Sequence, residues 1–295
     1  MKLVRLPLFV LVCAALASCG GNEATKDCTT VLHATATQAD VAHAFVAATA
    51  GSTICFEPGT YALTDELTLS AANVTVRGTA TGAMRPILDF SGAGASAAQA
   101  INVLTGSNGF KMEDLIVRNA KGDGVKVNNV DGVTFRGVKV AWTDASGAEV
   151  SLVTNGAYAL YPVGCTHVLI EHCEIVGAAD AGLYVGQSDQ IVVRDNLVHG
   201  NVAGLEIENS TNAEVYGNDA YNNTAGILVF DLPGMMKENG TTTRVHDNHT
   251  HENNLENFAR RGSTVSNVPD GTGIMILASN LTEVDHNNIE KNNTM

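Results

Sequence analysis

Aromatic side chains make up only 5% of the 295 residues, with a single Trp, and Lys plus Arg number 17 against 31 Asp plus Glu. The first shortage means that small and β-branched residues must fill the interior. The second excludes a nucleic-acid backbone as partner, because a formal charge of −14 leaves too few cations to displace its counterions. Cations or neutral polymers suit such a surface better. CxxC and Cys/His spacings of the zinc type are missing, as is CxxCH, so neither structural zinc nor c-type haem is expected on this chain. One apolar run stands out, Leu6 to Leu16, and it is too short to cross a bilayer. What is abundant is Gly, at 29, and Asn, at 26, alongside 45% apolar content, which together describe a turn-rich fold with a real core.

Lys2 and Arg5 precede the apolar run, which ends Leu16-Ala17-Ser18-Cys19. Charge, length and small residues before a Cys are those of a bacterial lipoprotein leader. Residues 1–18 are therefore expected to be removed, with Cys19 taking the lipid and 19–36 acting as an anchoring linker. The protein would sit in the bacterial cell envelope, facing the periplasm or exposed on the outer membrane. Four cysteines remain, Cys28, Cys55, Cys165 and Cys173, and they allow three pairings. Proximity favours Cys28 with Cys55 and Cys165 with Cys173, buried free thiols being the alternative.

Internal repetition is the strongest signal. Val-x-x-Asn recurs at Val193, Val215, Val245 and Val284, and Val76, Met112, Phe135 and Ile170 fall in register before them. A second landmark lies eleven residues earlier, at Gly124, Ala159, Gly182, Gly204 and Gly273, each followed by apolar-x-apolar; Gly226 joins them ahead of an insertion. The unit is 22 or 23 residues, and its apolar period is two. Short strands broken at Gly, Asn and Asp bury a face only by stacking on the same strand of the next unit, so the fold class is all-β, a right-handed parallel β-helix over 37–295. Eight coils at about 4.8 Å make a rod about 35 to 40 Å long. Asn196, Asn218, Asn248 and Asn287 share one phase and Asn201, Asn223, Asn253 and Asn292 another, as two turn-stabilising ladders in left-handed backbone. Thr37 to Asp40 caps a short amphipathic helix carrying Val41, Ala44, Phe45 and Ala48, which would cover the first coil. The chain stops at Met295 inside a unit, so further coils, a cap or a covering partner are expected there.

The strings Gly156-Ala157-Tyr158-Ala159-Leu160-Tyr161-Pro162-Val163, Asp180-Ala181-Gly182-Leu183-Tyr184-Val185-Gly186-Gln187-Ser188, Gly204-Leu205-Glu206-Ile207-Glu208-Asn209-Ser210 and Gly226-Ile227-Leu228-Val229-Phe230-Asp231-Leu232-Pro233-Gly234 resemble bacterial parallel β-helix repeat lipoproteins. Asn257-Phe258-Ala259, Val268-Pro269 and Gly271-Thr272-Gly273 are similar too. The resemblance implies a lipid-anchored β-helix, often encoded beside a c-type cytochrome lipoprotein, with no agreed activity. The fold is more distantly similar to pectate lyases, polygalacturonases and alginate epimerases. Their strings NTD, GHG, RIK and DPH are missing, and fold analogy alone supplies no reaction.

Stacked in register, one outward column reads Lys126, Tyr161, Tyr184, Glu206, Leu228 and Met275; the next contains Asn128, Gly186, Glu208 and Phe230, with Asp231 beyond. Tyrosines offer ring faces for sugar C–H groups and carboxylates accept from hydroxyls, while loops 144–156, 232–242 and 255–272 would wall a groove. The function expected is polysaccharide binding on this face, with cleavage or modification left open. For hydrolysis the acid/base candidates are Glu206, Glu208 and Asp231; for a lyase, Lys126, Arg260 and Arg261 would neutralise a uronate. The plainer reading makes Tyr161 and Tyr184 stacking aromatics and Glu206 and Glu208 solvated strand residues. The competing function is a non-enzymatic scaffold that docks an envelope protein, such as a c-type cytochrome lipoprotein, on a flat apolar patch of Leu228, Phe230 and Met275. His199, Tyr221, His251 and Glu290 share another column, with Asp219 and His249 close by, so a surface metal cluster is geometrically possible; exposed His is common on strands and no spacing is compelling, so no metal is expected. Ca²⁺ would suit the acidic surface, yet the GGxGxDxUx nonapeptide is missing.

Overall fold

Stretches of three to six residues with an apolar period of two bury nothing by themselves; stacked coil on coil, they enclose a continuous core. The computed structural model describes residues 25–294, and there the chain winds as a right-handed parallel β-helix with three sheets of ten, eight and nine strands. A typical coil gives one strand to each: Asp189–Arg194 to the ten-stranded sheet, Leu197–His199 to the nine-stranded and Ala203–Glu208 to the eight-stranded. The expected leader and Cys19 lie outside the described residues.

Both landmarks hold as vertical rows. Val193, Val215, Val245 and Val284 pair in sequence, and Val76, Met112, Phe135, Ile170 and Val193 continue the row in the other direction. The glycine row has a steric cause. A Cβ on Gly204 would lie 2.7 Å from the Gly226 carbonyl oxygen, and one on Gly226 would lie 2.5 Å from that of Gly273. The helix begins earlier than the sequence suggests, because Thr30–Leu32, inside the expected linker, pairs with Thr53–Phe56. Ten strands at about 4.8 Å give a rod about 43 Å long.

The Asn rows form ladders, with one correction. Asn218 Nδ2 donates to Asn248 Oδ1 at 2.9 Å and to the Val193 carbonyl at 3.0 Å, while Asn218 Oδ1 accepts from the Asn196 backbone N–H and Nδ2. Asn223 repeats this with Asn201, Asn253 and the Val198 carbonyl. These amides point into the stack and are buried, and the left-handed residue is the one before: Asp195, Gly217, Asp247 and His286 in one row, Gly200, Asn222, Glu252 and Lys291 in the other. The turn is made by the preceding residue, which frees the Asn to bond along the rod axis.

The helix Gln38–Val46 forms where Thr37 and Asp40 satisfy each other's backbone N–H groups in a capping box, and it buries Val41, Ala44 and Phe45 over the first coils. Cys28 and Cys55 are joined, as proximity favours. Cys165 and Cys173 are not: both are buried free thiols. They flank the strand Thr166–Glu171, whose six extended residues span about 20 Å, beyond disulfide reach. Each instead fills a ladder position, Cys173 N–H donating to Asn196 Oδ1 and Cys165 N–H to Ser188 Oγ.

Asn218→Ala removes two donated bonds and strands two buried donors of Asn196, so it should cost about 3 kcal/mol, measured as a lowered guanidinium midpoint. Asn288→Ala, at an exposed neighbour of the ladder, should change stability by less than about 0.5 kcal/mol.

Candidate functional site

The outward columns of the eight-stranded sheet are those the sequence predicts: Lys126 pairs with Tyr161, and Tyr184 with Glu206, then Leu228, then Met275. Their surroundings differ. The strands Ala181–Gly186, Ala203–Glu208 and Ala225–Phe230 are buried on both faces. Outside them lies a second apolar cluster, in which Val265 and Val268, with Phe258 and Ala259, pack on Ala181, Tyr184, Leu228 and Phe230. Loop 255–272 is thus a roof over the later strands rather than the wall of a groove. Asn257 staples it, its Nδ2 donating to the Val265 and Val268 carbonyls at 2.9 and 2.8 Å. Burial at roughly 2 kcal/mol per large apolar side chain makes closure favourable. Leu228 and Phe230 are 0% and 2% exposed, so the flat docking patch expected there is covered by the chain itself.

The other two loops sit at the margins. Loop 144–156 is held at the nine-stranded sheet by the Lys139–Glu149 ion pair at 2.6 Å, and touches the roof where Arg260 donates to the Asn155 carbonyl at 3.2 Å. Loop 232–242 is tied down by Lys237, whose Nζ donates to the Ser188 carbonyl at 2.7 Å. Between that loop and the sheet is a recess of about 570 Å³ lined by Lys126, Asn128, Tyr161, Gln187, Met235 and Met236.

Where roof and recess meet, three tyrosine rings gather. Tyr158 lies 4.6 Å from Tyr161 and 4.7 Å from Tyr184, and Tyr161 meets Tyr184 edge-on at 4.9 Å between centroids. The Lys126 ammonium sits 4.7 Å from the Tyr161 ring centre. Tyr184 Oη donates to Glu208 Oε1 at 2.9 Å, and burial pushes the Tyr161 hydroxyl up to about 12.

Four carboxyl groups share this neighbourhood. Burial, then the nearby Asp180 and Glu208, hold Glu206 well above the ordinary carboxylate range, and its buried Oε2 has no hydrogen-bond partner among the described residues. Glu208 is raised by burial against the Tyr184 hydrogen bond. Asp180 is pushed up to about 7 by burial and the carboxyls of Glu208 and Asp123; Asp123 rises to about 6 by burial, with Lys126 opposing. Both are only partly buried.

Of the residues singled out in the sequence, Lys126, Tyr161, Tyr184, Glu206, Glu208 and Arg260 converge here. Glu206 is 2% exposed, too deep for a polymer to touch, and it is not a solvated strand residue either. Asp231 does not join the pair: Asn209 Nδ2 binds its carboxylate at 2.8 Å in the turn after the strand. Arg261 is exposed on the outside of the roof. Tyr158, Asp123 and Asp180 were not legible as site residues. Alternation counted back from Val125 and Leu183 turns Asp123 and Ala181 inward, but the bend entering each strand brings this edge to the outer cluster.

A raised folded pKa means that the folded protein holds the extra proton, so Glu206 favours the fold below its ordinary value of 4.5, and that contribution disappears as pH climbs through its folded pKa. Glu206→Gln should therefore come close to the parent in stability at pH 4 and exceed it at pH 8, checked by denaturant titration at both.

No curated protein sequence matches the chain. Among solved structures it is similar to the mannuronan C-5 epimerase AlgE4 A-module of Azotobacter vinelandii, with a TM-score of 0.52, 15% identity, and 90% of this chain and 95% of that one covered. It is similar also to an alginate lyase of Paenibacillus sp. str. FPU-7, with a TM-score of 0.49, 15% identity and coverage of 89% and 98%. A polygalacturonase of Erwinia carotovora ssp. carotovora follows, at 0.48, 11%, and 90% and 97%. At these identities the likeness is one of fold. Residues 99–295 match the model of the right handed beta helix region, and the chain belongs to that family.

Proposed function

We propose that this protein binds a polysaccharide in the recess between loop 232–242 and the eight-stranded sheet, with the chain running past Tyr161 toward Asp123 and Asp180. The observation that carries the reading is the tyrosine cluster at the recess edge, where Tyr161 and Tyr158 remain partly exposed beside Lys126 and two partly buried carboxyls. Ring faces take the C–H surface of a sugar, and carboxyl and ammonium groups take its hydroxyls or a uronate. Partial protonation of Asp180, pushed up to about 7, reduces the repulsion that an acidic protein would otherwise present to such a chain. The epimerase whose fold it shares is named for mannuronan, a polysaccharide, and that analogy supports the substrate class and no particular reaction.

Cleavage or modification is a second reading, favoured by one observation. Asp180 near 7 and Asp123 near 6 are suited to act as acid and base at neutral pH, a role for which Glu206 is too deep and Asp231 too distant in the pairing. The docking reading has lost Leu228 and Phe230 to the roof, with Met275 left half-buried.

Titration with pectin, alginate and peptidoglycan fragments, followed by calorimetry, should find at least one ligand whose affinity falls about tenfold or more in Tyr161→Ala and in Lys126→Ala. Equal binding by parent and variants would remove the recess from consideration. If the bound polymer is also cut or modified, the rate should peak near pH 6 to 7 and fall as pH rises past about 7, where Asp180 loses its proton, and Asp180→Asn should abolish that limb.

The envelope location forms part of the same proposal and rests on the leader and Cys19. In a bacterial host, Cys19→Ser should move the protein from the detergent-extracted membrane fraction to the soluble one; unchanged fractionation would refute lipid attachment.

A further inference from the structure

The nine-stranded sheet turns a different chemistry to solvent. On the strand His249–His251 the two histidines are two residues apart and both face outward, with Thr250 buried between them. One coil earlier Asp219 pairs with His249 and Tyr221 with His251; one coil later come Asn288 and Glu290. Coil stacking and strand alternation thus bring three donors from two coils to one point. His251 Nε2 lies 3.1 Å from Asp219 Oδ1, His249 Nδ1 lies 3.7 Å from the same oxygen, and the donor atoms of all three residues fall within 4.8 Å of one another.

We propose that Asp219, His249 and His251 form a binding site for a divalent transition-metal ion of the Zn²⁺ class. Four donors at tetrahedral angles and zinc bond lengths sit about 3.3 Å from one another, and the two measured separations bracket that value. Two imidazoles and one carboxylate suit Zn²⁺ or Cu²⁺ far better than Ca²⁺ or Mg²⁺, which take oxygen donors. The fourth position faces solvent and takes water.

The outer surroundings point the same way. His249 carries Glu290 Oε1 at 3.3 Å on its other nitrogen, Nε2, and His251 carries Glu252 Oε2 at 3.4 Å on Nδ1. A carboxylate on the far ring nitrogen selects the tautomer that presents a lone pair to the ion and holds the ring's direction. The rings are further aligned by stacking, His199 on Tyr221 at 4.9 Å, Tyr221 on His251 at 5.2 Å and His251 on His249 at 4.0 Å. Glu290 and Glu252 are positioning residues here. The donors are 17% to 44% exposed, so an ion reaches them from solution.

The test is calorimetric titration of tag-free protein with ZnCl₂ at pH 7.5, accompanied by the visible spectrum with CoCl₂. One Zn²⁺ per chain is expected, with tetrahedral d–d bands from Co²⁺, and no heat from CaCl₂ at equal concentration. Asp219→Asn and His251→Ala should each weaken Zn²⁺ binding about 30-fold or more, and Glu290→Gln about tenfold, the size usual for a residue that orients a ligand. Circular dichroism identifies any variant that fails to fold, and His249→Gln then serves in its place. Absence of Zn²⁺ binding, undiminished binding in Asp219→Asn and His251→Ala, or Ca²⁺ competing on equal terms would each overturn the assignment.

Discussion

Every feature of this molecule rests on coils lying in exact vertical register, and buried amides enforce that register. An Asn inside the stack has two donors and an acceptor that water cannot reach. Asn218 satisfies them only if Asn196 lies directly before it and Asn248 directly after it. A slip of one residue would turn the apolar set outward and strand the whole row, so the polar interior specifies alignment while Val, Ile and Leu supply the driving force. The glycine row adds a second lock, since neighbouring coils approach too closely for a Cβ at Gly204 and Gly226.

Because the register is strict, chemistry on the surface is organised as columns, and the eight-stranded sheet changes character along its length. Near the first coils its outer side is a polar mesh in which Gln99 and Asn102 both donate to Glu66. Around Tyr158, Tyr161 and Tyr184 it becomes aromatic and acidic. By Leu228, Phe230 and Met275 it is apolar enough to need the roof segment. The carboxyls with raised pKa stand at the boundary between the second and third zones. Partial burial there is what separates Asp180 and Asp123 from ordinary surface acids.

The two candidate sites share this logic and differ in how the chain closes them. The tyrosine recess depends on insertions between coils, loops 232–242 and 255–272, whose courses no repeat dictates. The Asp219, His249 and His251 cluster needs no insertion. It follows from strand alternation within one coil and stacking between two, which is why its members were already in neighbouring columns when the sequence was aligned on its repeats.

Most of the architecture was legible in the sequence because a period of 22 or 23 residues converts linear spacing into vertical position. The rows through Val193 and Gly204 and the Asn ladders follow from patterns repeated in phase, the capping helix from its own capping box and the Cys28–Cys55 bond from proximity. Other outcomes belong to tertiary structure alone. Repeats say nothing of where an insertion folds back, so the roof over Leu228 and Phe230 was invisible, and with it the burial that raises the Glu206 pKa and excludes the residue from contact with a polymer. Strand alternation also fails at a bend, which hid Asp123 and Tyr158. Cys165 and Cys173 are near in sequence but separated by a whole extended strand. The sequence by itself determined which side chains stack, because stacking obeys a period; only the folded chain decided which of them meet water, because exposure depends on what aperiodic segments cover.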